Sequence, residues 1–331
     1  MDELKRPLAS FVIFAFNQEQ VITDAIEAAF AQTYSPLEII LSDDCSSDDT
    51  FNLMERAVAA YKGPHRVVLN RNPQNLNIGG HVNAVAKLAK GDLIVLAGGD
   101  DISLPVRTEK LVQRWIELGC PPAVLYSDFV PMDRASRVVN LPREQIYRGI
   151  HCKQAMAAGK IWALGATAAV SKQVFSGLHP FDASVRHEDR VHPFRALLLG
   201  GTVCLVDEKL VRYRVEGGIS RGNAISGHDY LFKHLPAQLA RTLPDARQRL
   251  ADLDAVVPVD LVLRQLCLAT IADHEACIEL VQSRGLGIEV ALLKWLRNGA
   301  RPGALLKVYL KRRFYPVFDL YFHHNHMRQL R

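Results

Sequence analysis

At 331 residues, with 49% hydrophobic and 23% charged residues, the chain has ordinary globular composition and reads as one large domain or one domain with an appendage. No apolar run reaches the about 18 residues a membrane-spanning helix needs, and six cysteines (Cys45, Cys120, Cys152, Cys204, Cys267, Cys277) without Cys-x-x-Cys spacing argue against a zinc site or a disulfide framework. The net charge of +5 is unevenly held, because the 38 residues from Lys294 onward carry nine Lys and Arg against Asp319 alone, leaving a mildly acidic body.

The opening Met-Asp-Glu-Leu-Lys-Arg-Pro7 lacks the apolar centre of a secretory signal, so a cytoplasmic location is expected. Residues 8–128 then alternate two patterns. Strands are expected at Ser10–Ala15, Leu37–Ser42, Arg66–Asn70, Leu93–Ala97 and Ala123–Ser127. Helices are expected between them at Val21–Ala31, Asp49–Tyr61, Gly80–Ala89 and Pro105–Leu118, with Pro105 as an early helical residue and Ser47 to Thr50 as caps. Such alternation implies βαβ units and a mostly parallel sheet. From 129 to 215 the rhythm shortens: Ser136–Leu141 and Gly165–Val170 read as extended, Glu188–Leu199 as a helix, and Thr202–Val206 and Leu210–Val215 as two strands. Beyond about residue 225 the chain reads as helices, broken near Pro236, Pro244, Pro258, Gly285–Gly287 and Pro302. The expected division is therefore 1–128, 129–224 and a helical extension 225–331.

Three acidic pairs stand out: Asp43–Asp44, Asp100–Asp101 and Glu188–Asp189. The second closes the run Asp92-Leu-Ile-Val-Leu-Ala-Gly-Gly-Asp100-Asp101, an apolar stretch typical of a strand buried on both faces. Carboxylates directly after such a strand lie at the carboxyl edge of the sheet, where open α/β folds bind ligands. Two adjacent carboxylates call for a shared cation, and Mg²⁺ or Mn²⁺ usually accompanies a phosphate-bearing substrate. Read alone, the pair equally suits a turn before Pro105. Asp44, beyond the second strand, is placed to accept a hydrogen bond from a ligand amide such as the N3–H of uracil. Asn17 and Glu19 end the first strand at the same edge. In Asn75-Leu-Asn77-Ile-Gly79-Gly80-His81-Val-Asn83 the glycines permit close backbone approach to a ligand, and Asn83 stands on the helix that follows.

Taken together, Ser10-Phe-Val-Ile-Phe-Ala-Phe-Asn-Gln-Glu19, Ser42-Asp-Asp-Cys-Ser-Ser-Asp-Asp-Thr50, Asn77-Ile-Gly79, Lys90 to Asp101, Glu188-Asp189 and Leu210 to Ser220 resemble, in order and spacing, the family 2 glycosyltransferases. The resemblance covers roughly residues 8–222. It implies a GT-A fold, Rossmann-like, with a mostly parallel sheet flanked by helices: 1–128 as the donor-binding half, 129–224 as the acceptor-binding half. It also implies an inverting, metal-dependent transfer of a hexosyl or N-acetylhexosaminyl group from a UDP-type nucleotide-sugar to a hydroxyl of a surface glycan or glycolipid. Position by position, Ala15, Asn17 and Glu19 would cradle the nucleoside and Asp44 would accept from the pyrimidine. Asn77, Gly79 and Asn83 complete the donor set. Asp100 would face the ribose or pyrophosphate, Asp101 would ligate Mn²⁺ or Mg²⁺, and Asp189 would be the general base with Glu188 next to it. His187 would touch the acceptor, and Arg214 and Ser220 belong to the loop bordering it.

The pattern is broken twice. Gly99 replaces the first acid of the usual Asp-x-Asp, and Glu216 stands where the family's Tyr-Arg-x-His has histidine. Two other functions compete: a Mg²⁺-dependent phosphoryl or nucleotidyl transferase, which would need a phosphate-cradling Gly/Lys loop absent here, and a non-catalytic nucleotide-sugar-binding scaffold. His179, His187 and His192 lack zinc spacing. The basic tail interleaves Phe314, Tyr315, Phe318, Tyr321 and Phe322, which suits the anionic face of a membrane. The bland alternative is a helix packed on the body or on a second subunit of a homo-oligomer. Nucleic acid is not an expected partner.

Overall fold

A computed structural model describes residues 6–140, 152–159, 163–215, 226–316 and 318. The chain divides into two compact units, Met1–Met156 with Lys160–Gly218, and Ala157–Gly159 with Ile219–Arg331.

In the first unit eight strands form one sheet: β1 (Ala9–Ala15), β2 (Leu37–Asp43), β3 (Arg66–Arg71), β4 (Leu93–Gly98), β5 (Ile102–Ser103), β6 (Ala123–Met132), β7 (Ala168–Ser171) and β8 (Thr202–Arg214). Their spatial order is β3-β2-β1-β4-β7-β6-β8-β5. The first four are mutually parallel, β7 runs antiparallel to both β4 and β6, and β8 returns parallel to β6. Alternation of side chains splits β1 between two cores. Phe11 and Ile13 join α1 (Ile22–Phe30), α2 (Thr50–Ala60) and α4 (Arg107–Glu117) on one face. Val12 joins α3 (Asn77–Leu88), α6 (Lys172–Ser176) and α7 (His192–Leu198) on the other, while α5 (Lys153–Ala157) lies in the connection before β7. Helices on both faces require apolar residues on both sides of each strand, which explains the continuous runs read from the sequence.

The strand register fixes where the loops emerge. Ala15 pairs with Asp43, Phe14 with Gly98, and Asp43 with Arg71, so β1, β2, β3 and β4 end nearly flush and their following loops line one edge.

Several local expectations are corrected. Ser136–Leu141 does not form a strand over its described residues: the chain turns on Asp133, whose carboxylate accepts the N–H groups of Ala135 and Arg137, and only Met132 and Val138 bridge. Gly165–Thr167 is a 3-10 turn leading into β7. Glu188–Arg190 is a separate 3-10 turn, and α7 begins at His192 with Pro193 in its first turn, where a missing N–H costs nothing. The two strands expected after Thr202 are one, because irregular pairing with β6 around Ser127–Phe129 takes up the extra residues. Pro105 sits in the turn before α4. Asp49 caps α2 without a side-chain bond, and it is Asp48 that accepts the Thr50 N–H.

The second unit is helical. The short α8 (Gly227–Asp229) passes through a π turn, Tyr230–His234, into α9 (Leu235–Asp254), followed by α10 (Leu261–Gln282), α11 (Gly287–Arg297) and α12 (Pro302–Arg313). Pro236 and Pro244 do not break α9: the former lies in its first turn and the latter is carried inside it. Asp260 caps α10 by accepting from the N–H groups of Val262 and Leu263. Among the described residues no helix is long and apolar enough to cross a membrane.

Candidate active site

The loops after β1 and β2 are laced into one ledge. Asp44 N–H donates to Ala15 O at 2.9 Å, and Asn17 N–H to Ser46 Oγ at 2.9 Å. Ser47 N–H donates to Asn17 Oδ1 at 2.9 Å, and Gln18 N–H to Thr50 Oγ1 at 2.7 Å. Glu19 and the second loop bond reciprocally, through Glu19 N–H to Asp48 and Asp49 N–H to Glu19 Oε2. Asn17 and Cys45, at φ of 52° and 62°, take the left-handed conformation that turns the two loops toward each other. The ledge holds its shape through its own bonds.

The first acidic pair divides its labour. Asp43 is fully buried and faces inward, accepting from Ser46 N–H and Oγ–H, with Arg71 at 3.6 Å. Asp44 is also buried, but both of its bonds are taken at Oδ1, from Asn72 Nδ2 at 2.8 Å and Leu76 N–H at 2.9 Å. Among the described residues Oδ2 is left to accept from a ligand. Behind Asn72 runs a polar chain, in which Asn70 Nδ2 donates to Asn72 Oδ1 and to Ser42 Oγ, and Ser42 Oγ meets His81 Nε2 at 2.7 Å. Burial holds His81 below its ordinary pKa, against the pull of Asp44 and Asp43. Asn70, Asn72 and His81 were not singled out by sequence reasoning. A histidine on an otherwise apolar helix face was the available signal.

Asp100 and Asp101 are held at the end of β4. A Cβ on Gly98 would lie 2.7 Å from Asp100 Oδ1 and 3.0 Å from Asp101 Oδ2, so the two oxygens converge on a space that only glycine leaves open. Burial pushes both carboxyls above the ordinary carboxylate range, Asp101 well above it, and the charge of Asp100 adds to the effect at Asp101. Asp101 Oδ1 accepts the Arg214 N–H at 2.8 Å, and the Arg214 guanidinium is spent on the carbonyls of Asp100, Asp133 and Arg134. Arg214 thus braces the acidic pair from behind. A second buried arginine, Arg107, bonds Ser103 Oγ and the carbonyls of Leu96 and Ala168; burial lowers its pKa to about 9, with Asp101 opposing. Gly99 is occupied from the side: a Cβ there would meet Gln18 Oε1 at 2.2 Å.

The α3 residues divide. Asn77, at φ 56°, starts the helix and accepts from Arg186. Gly79 admits protein rather than ligand, since a Cβ there would lie 2.3 Å from Asp182 O, and its own N–H donates to Val185 O. Asn83 spends its carboxamide on Phe181, donating to its carbonyl at 2.7 Å and accepting its N–H at 2.8 Å. These two residues clamp the segment 181–186 that leads to His187, Glu188 and Asp189.

Because β7 is antiparallel to β4, its beginning, and the Gly165–Thr167 turn before it, lies at the edge where β4 ends. A Cβ on Gly165 would meet Glu188 Oε1 at 2.1 Å and Asp189 Cβ at 3.5 Å, so the third acidic pair packs over that turn. All three pairs therefore belong to one edge of one sheet. His187 precedes the 3-10 turn, while His192 is buried against Phe175 and Phe181, with ring centroids at 5.2 and 5.0 Å. Ser220 and Glu216 lie outside the described residues. A cavity of about 530 Å³ opens elsewhere, at the opposite edge of the sheet, lined by Pro7, Asp92, Trp115, Cys120 and Lys172.

A divalent cation fits the Asp100–Asp101 pair on the chemistry of its donors. Among the described residues no group of three or more His, Cys, Asp or Glu side chains could hold a metal. Mg²⁺ and Mn²⁺ sites that also bind phosphates need only one or two carboxylates, and two converging, desolvated carboxylate oxygens over Gly98 supply that set.

The family described as Glycosyl transferase family 2 matches residues 10–163. The succinoglycan biosynthesis protein ExoO of Rhizobium meliloti is 36% identical over 132 residues, 40% of this chain and 36% of that protein. The UDP-Glc:alpha-D-GlcNAc-diphosphoundecaprenol beta-1,3-glucosyltransferase WfaP of Escherichia coli is 33% identical over 94 residues, 28% of this chain and 36% of that protein. The chain thus spans little more than a third of the length of these relatives. Among solved structures, TarS 1-349 of S. aureus in complex with UDP-GlcNAc superposes with a TM-score of 0.55 at 15% identity, covering 92% of this chain and 91% of TarS 1-349. The mannosyltransferase PcManGT of Pyrobaculum calidifontis, in complex with GDP-Man and Mn²⁺, gives a TM-score of 0.55 at 15% identity over 99% of this chain and 88% of its own. At that identity the likeness concerns the fold.

Proposed function

From the match of residues 10–163 to Glycosyl transferase family 2 we propose that the protein is an inverting, metal-dependent glycosyltransferase of surface-glycan assembly, with a UDP-linked sugar as donor. The observation that carries the reading is the convergence of Asp100 Oδ1 and Asp101 Oδ2 over Gly98, at the same sheet edge as the ligand-facing oxygen of Asp44. Asp44 Oδ2 accepts the N3–H of uracil, a contact that adenine, with no ring N–H at the matching position, does not offer. Ala15, Asn17 and Glu19 shape the ledge beneath the nucleoside. Asp100 and Asp101 hold the metal, which when bound neutralises the diphosphate and makes it a better leaving group. Asp189 takes the proton from the acceptor hydroxyl, with Glu188 beside it. That oxygen then attacks the anomeric carbon from the face opposite the nucleoside diphosphate, which inverts the configuration. A sugar hydroxyl is a weak nucleophile, and a positioned base is worth about 10²–10⁴-fold.

The acceptor in this reading is a glycan or a lipid-linked glycan at the cytoplasmic face of a membrane. WfaP's name gives it such a lipid-linked acceptor, and ExoO's assigns it to succinoglycan biosynthesis. The test is product formation from a panel of nucleotide-sugars with lipid-linked and soluble acceptors. Asp189→Asn is expected to lower turnover by about 10²–10⁴ while leaving UDP affinity within a few-fold. Turnover close to that of the unaltered protein would remove Asp189 from the role of base.

A further inference from the structure

We propose that α11 and α12 form a surface that lies on an anionic lipid bilayer, with Leu286, Val290, Leu293, Leu306, Leu310 and Phe314 entering the headgroup boundary. It deepens the acceptor part of the proposed function, resting on that reading only for what the bilayer carries; the docking itself stands on the second unit alone.

Each of the two helices is apolar on two sides. Ile288 and Ala291 of α11, with Leu305 and Val308 of α12, face inward and share one core with Ala276 and Leu280 of α10. The opposite sides are apolar as well and, among the described residues, are exposed. On α11, Leu286, Val290 and Leu293 recur at helical spacing and are 82%, 65% and 58% exposed. On α12, Leu306, Leu310 and Phe314 recur every four residues and are 50%, 44% and 57% exposed. Single exposed leucines are ordinary, but two such stripes on helices that share one core mark an interaction surface.

Charge identifies the occupant. Residues 284–316 contain eight Lys or Arg and one acid, Glu289, which is close to Arg313 at 3.7 Å; Lys294 and Arg301 pair with Glu279 and Asp273 of α10, and the surface remains net basic. Arg297 and Lys307 stand exposed beside the stripes. A second copy of this chain would bring a face of the same sign against this one, which is unfavourable. A nucleic acid would answer the charge and leave the leucines in water. An anionic bilayer answers both, since its phosphates meet the basic side chains while the apolar residues enter the boundary below them. No described helix is long and apolar enough to cross the bilayer, so this one lies on it.

The structure also changes the basis for membrane contact expected from the sequence. Tyr315 and Phe318 are packed against the helical core, and Lys311 lies over the rings of Tyr230 and Phe318 at 5.1 and 5.0 Å. Leucine and valine, with Phe314 as the one aromatic among them, make the outward stripe. Tyr321 and Phe322 lie outside the described residues.

The test is co-sedimentation of the full chain with vesicles of phosphatidylcholine alone and of phosphatidylcholine mixed with phosphatidylglycerol. Three proteins are compared: the unaltered chain, an apolar-stripe variant (L286S, V290S, L293S, L306S and L310S) and a charge variant (R297Q and K307Q). All substituted positions are exposed, and a thermal melt checks that each variant is folded. The unaltered chain should sediment with the anionic vesicles and far less with the neutral ones. Removing two basic groups should weaken the association by roughly 30-fold, at about 1 kcal/mol each, and the serine variant should lose it. Sedimentation unchanged in both variants would overturn the proposal. So would loss of a homodimer, seen by light scattering, in the serine variant, because a second copy would then be the occupant. Stabilisation by UDP-sugar is measured on the same samples: vesicle binding without donor binding would sink the transferase reading alone, and the reverse would sink only this one.

Discussion

In the proposed site Asp44 would offer one oxygen to a ligand, because two N–H groups, from Asn72 and Leu76, are fastened to the other. Removing the carboxylate in Asp44→Ala should weaken UDP by about 1.5–3 kcal/mol, the range for a charge-assisted hydrogen bond. Asn72→Ala leaves the carboxylate but frees it to turn, so a loss of about 0.5–1.5 kcal/mol is expected, with a reduced preference for UDP over ADP. Calorimetry with both nucleotides decides it: equal affinity for UDP and ADP in the unaltered protein would remove Asp44 from base recognition. His192 makes a different kind of prediction. Burial, with the Arg195 charge adding to it, holds its imidazole well below the ordinary value of 6.5. Below that value the unfolded chain takes up a proton that the native ring refuses, so the contribution is complete above about pH 6.5 and is lost as the pH falls toward the native pKa. The slope is at most about 1.4 kcal/mol per pH unit. Thermal melts between neutral and mildly acid pH should therefore fall less steeply for His192→Phe, whose ring suits the Phe175 and Phe181 contacts; identical slopes would show that His192 does not titrate in this way.

At the level of elements, the sheet edge proposed as the active site depends on contacts within the protein itself. α3 is pinned to the segment before Glu188–Asp189 at Gly79, where a Cβ would lie 2.3 Å from the Asp182 carbonyl, and at Asn83. The Asp182 main chain and the Val185 Cβ leave nothing flexible to yield, so Gly79→Ala should cost about 1–3 kcal/mol as an overpacked site. Displacement of the segment should lower turnover more than donor affinity. A melt unchanged from that of the unaltered protein would mean that α3 and the segment separate freely. Gly99 is the contrasting case. Its nearest obstacle is the end of the Gln18 side chain, which can swing away, although Ile22 Cδ1 at 2.9 Å and Ala15 Cβ at 3.2 Å remain close.

For the whole molecule, the two converging carboxylates at the end of β4, Asp101 buried and Asp100 half-buried, predict that donor and metal bind together. A UDP-sugar with Mn²⁺ at one hundred times its Kd should stabilise the protein by about 2.7 kcal/mol, and EDTA should abolish most of that gain in a thermal melt. The same stabilisation in EDTA would rule out a cation between Asp100 and Asp101. The sequence by itself determined the alternation of strands and helices over residues 8–128, the helical character of the C-terminal part, and the placement of Asp44, Asp100 and Asp101 just beyond strand ends. These follow from local periodicity: an apolar run of strand length, buried on both faces, announces itself wherever it stands. Only the tertiary structure decided which polar groups meet. Asn83 finds Phe181 across 98 positions of sequence, and Arg214 reaches Asp101 across 113. It also decided which apolar faces stay exposed among the described residues, as the outward stripes of α11 and α12 do. Periodicity marks a side chain as apolar or polar, but its partner is set by the packing of distant segments, which no local pattern encodes.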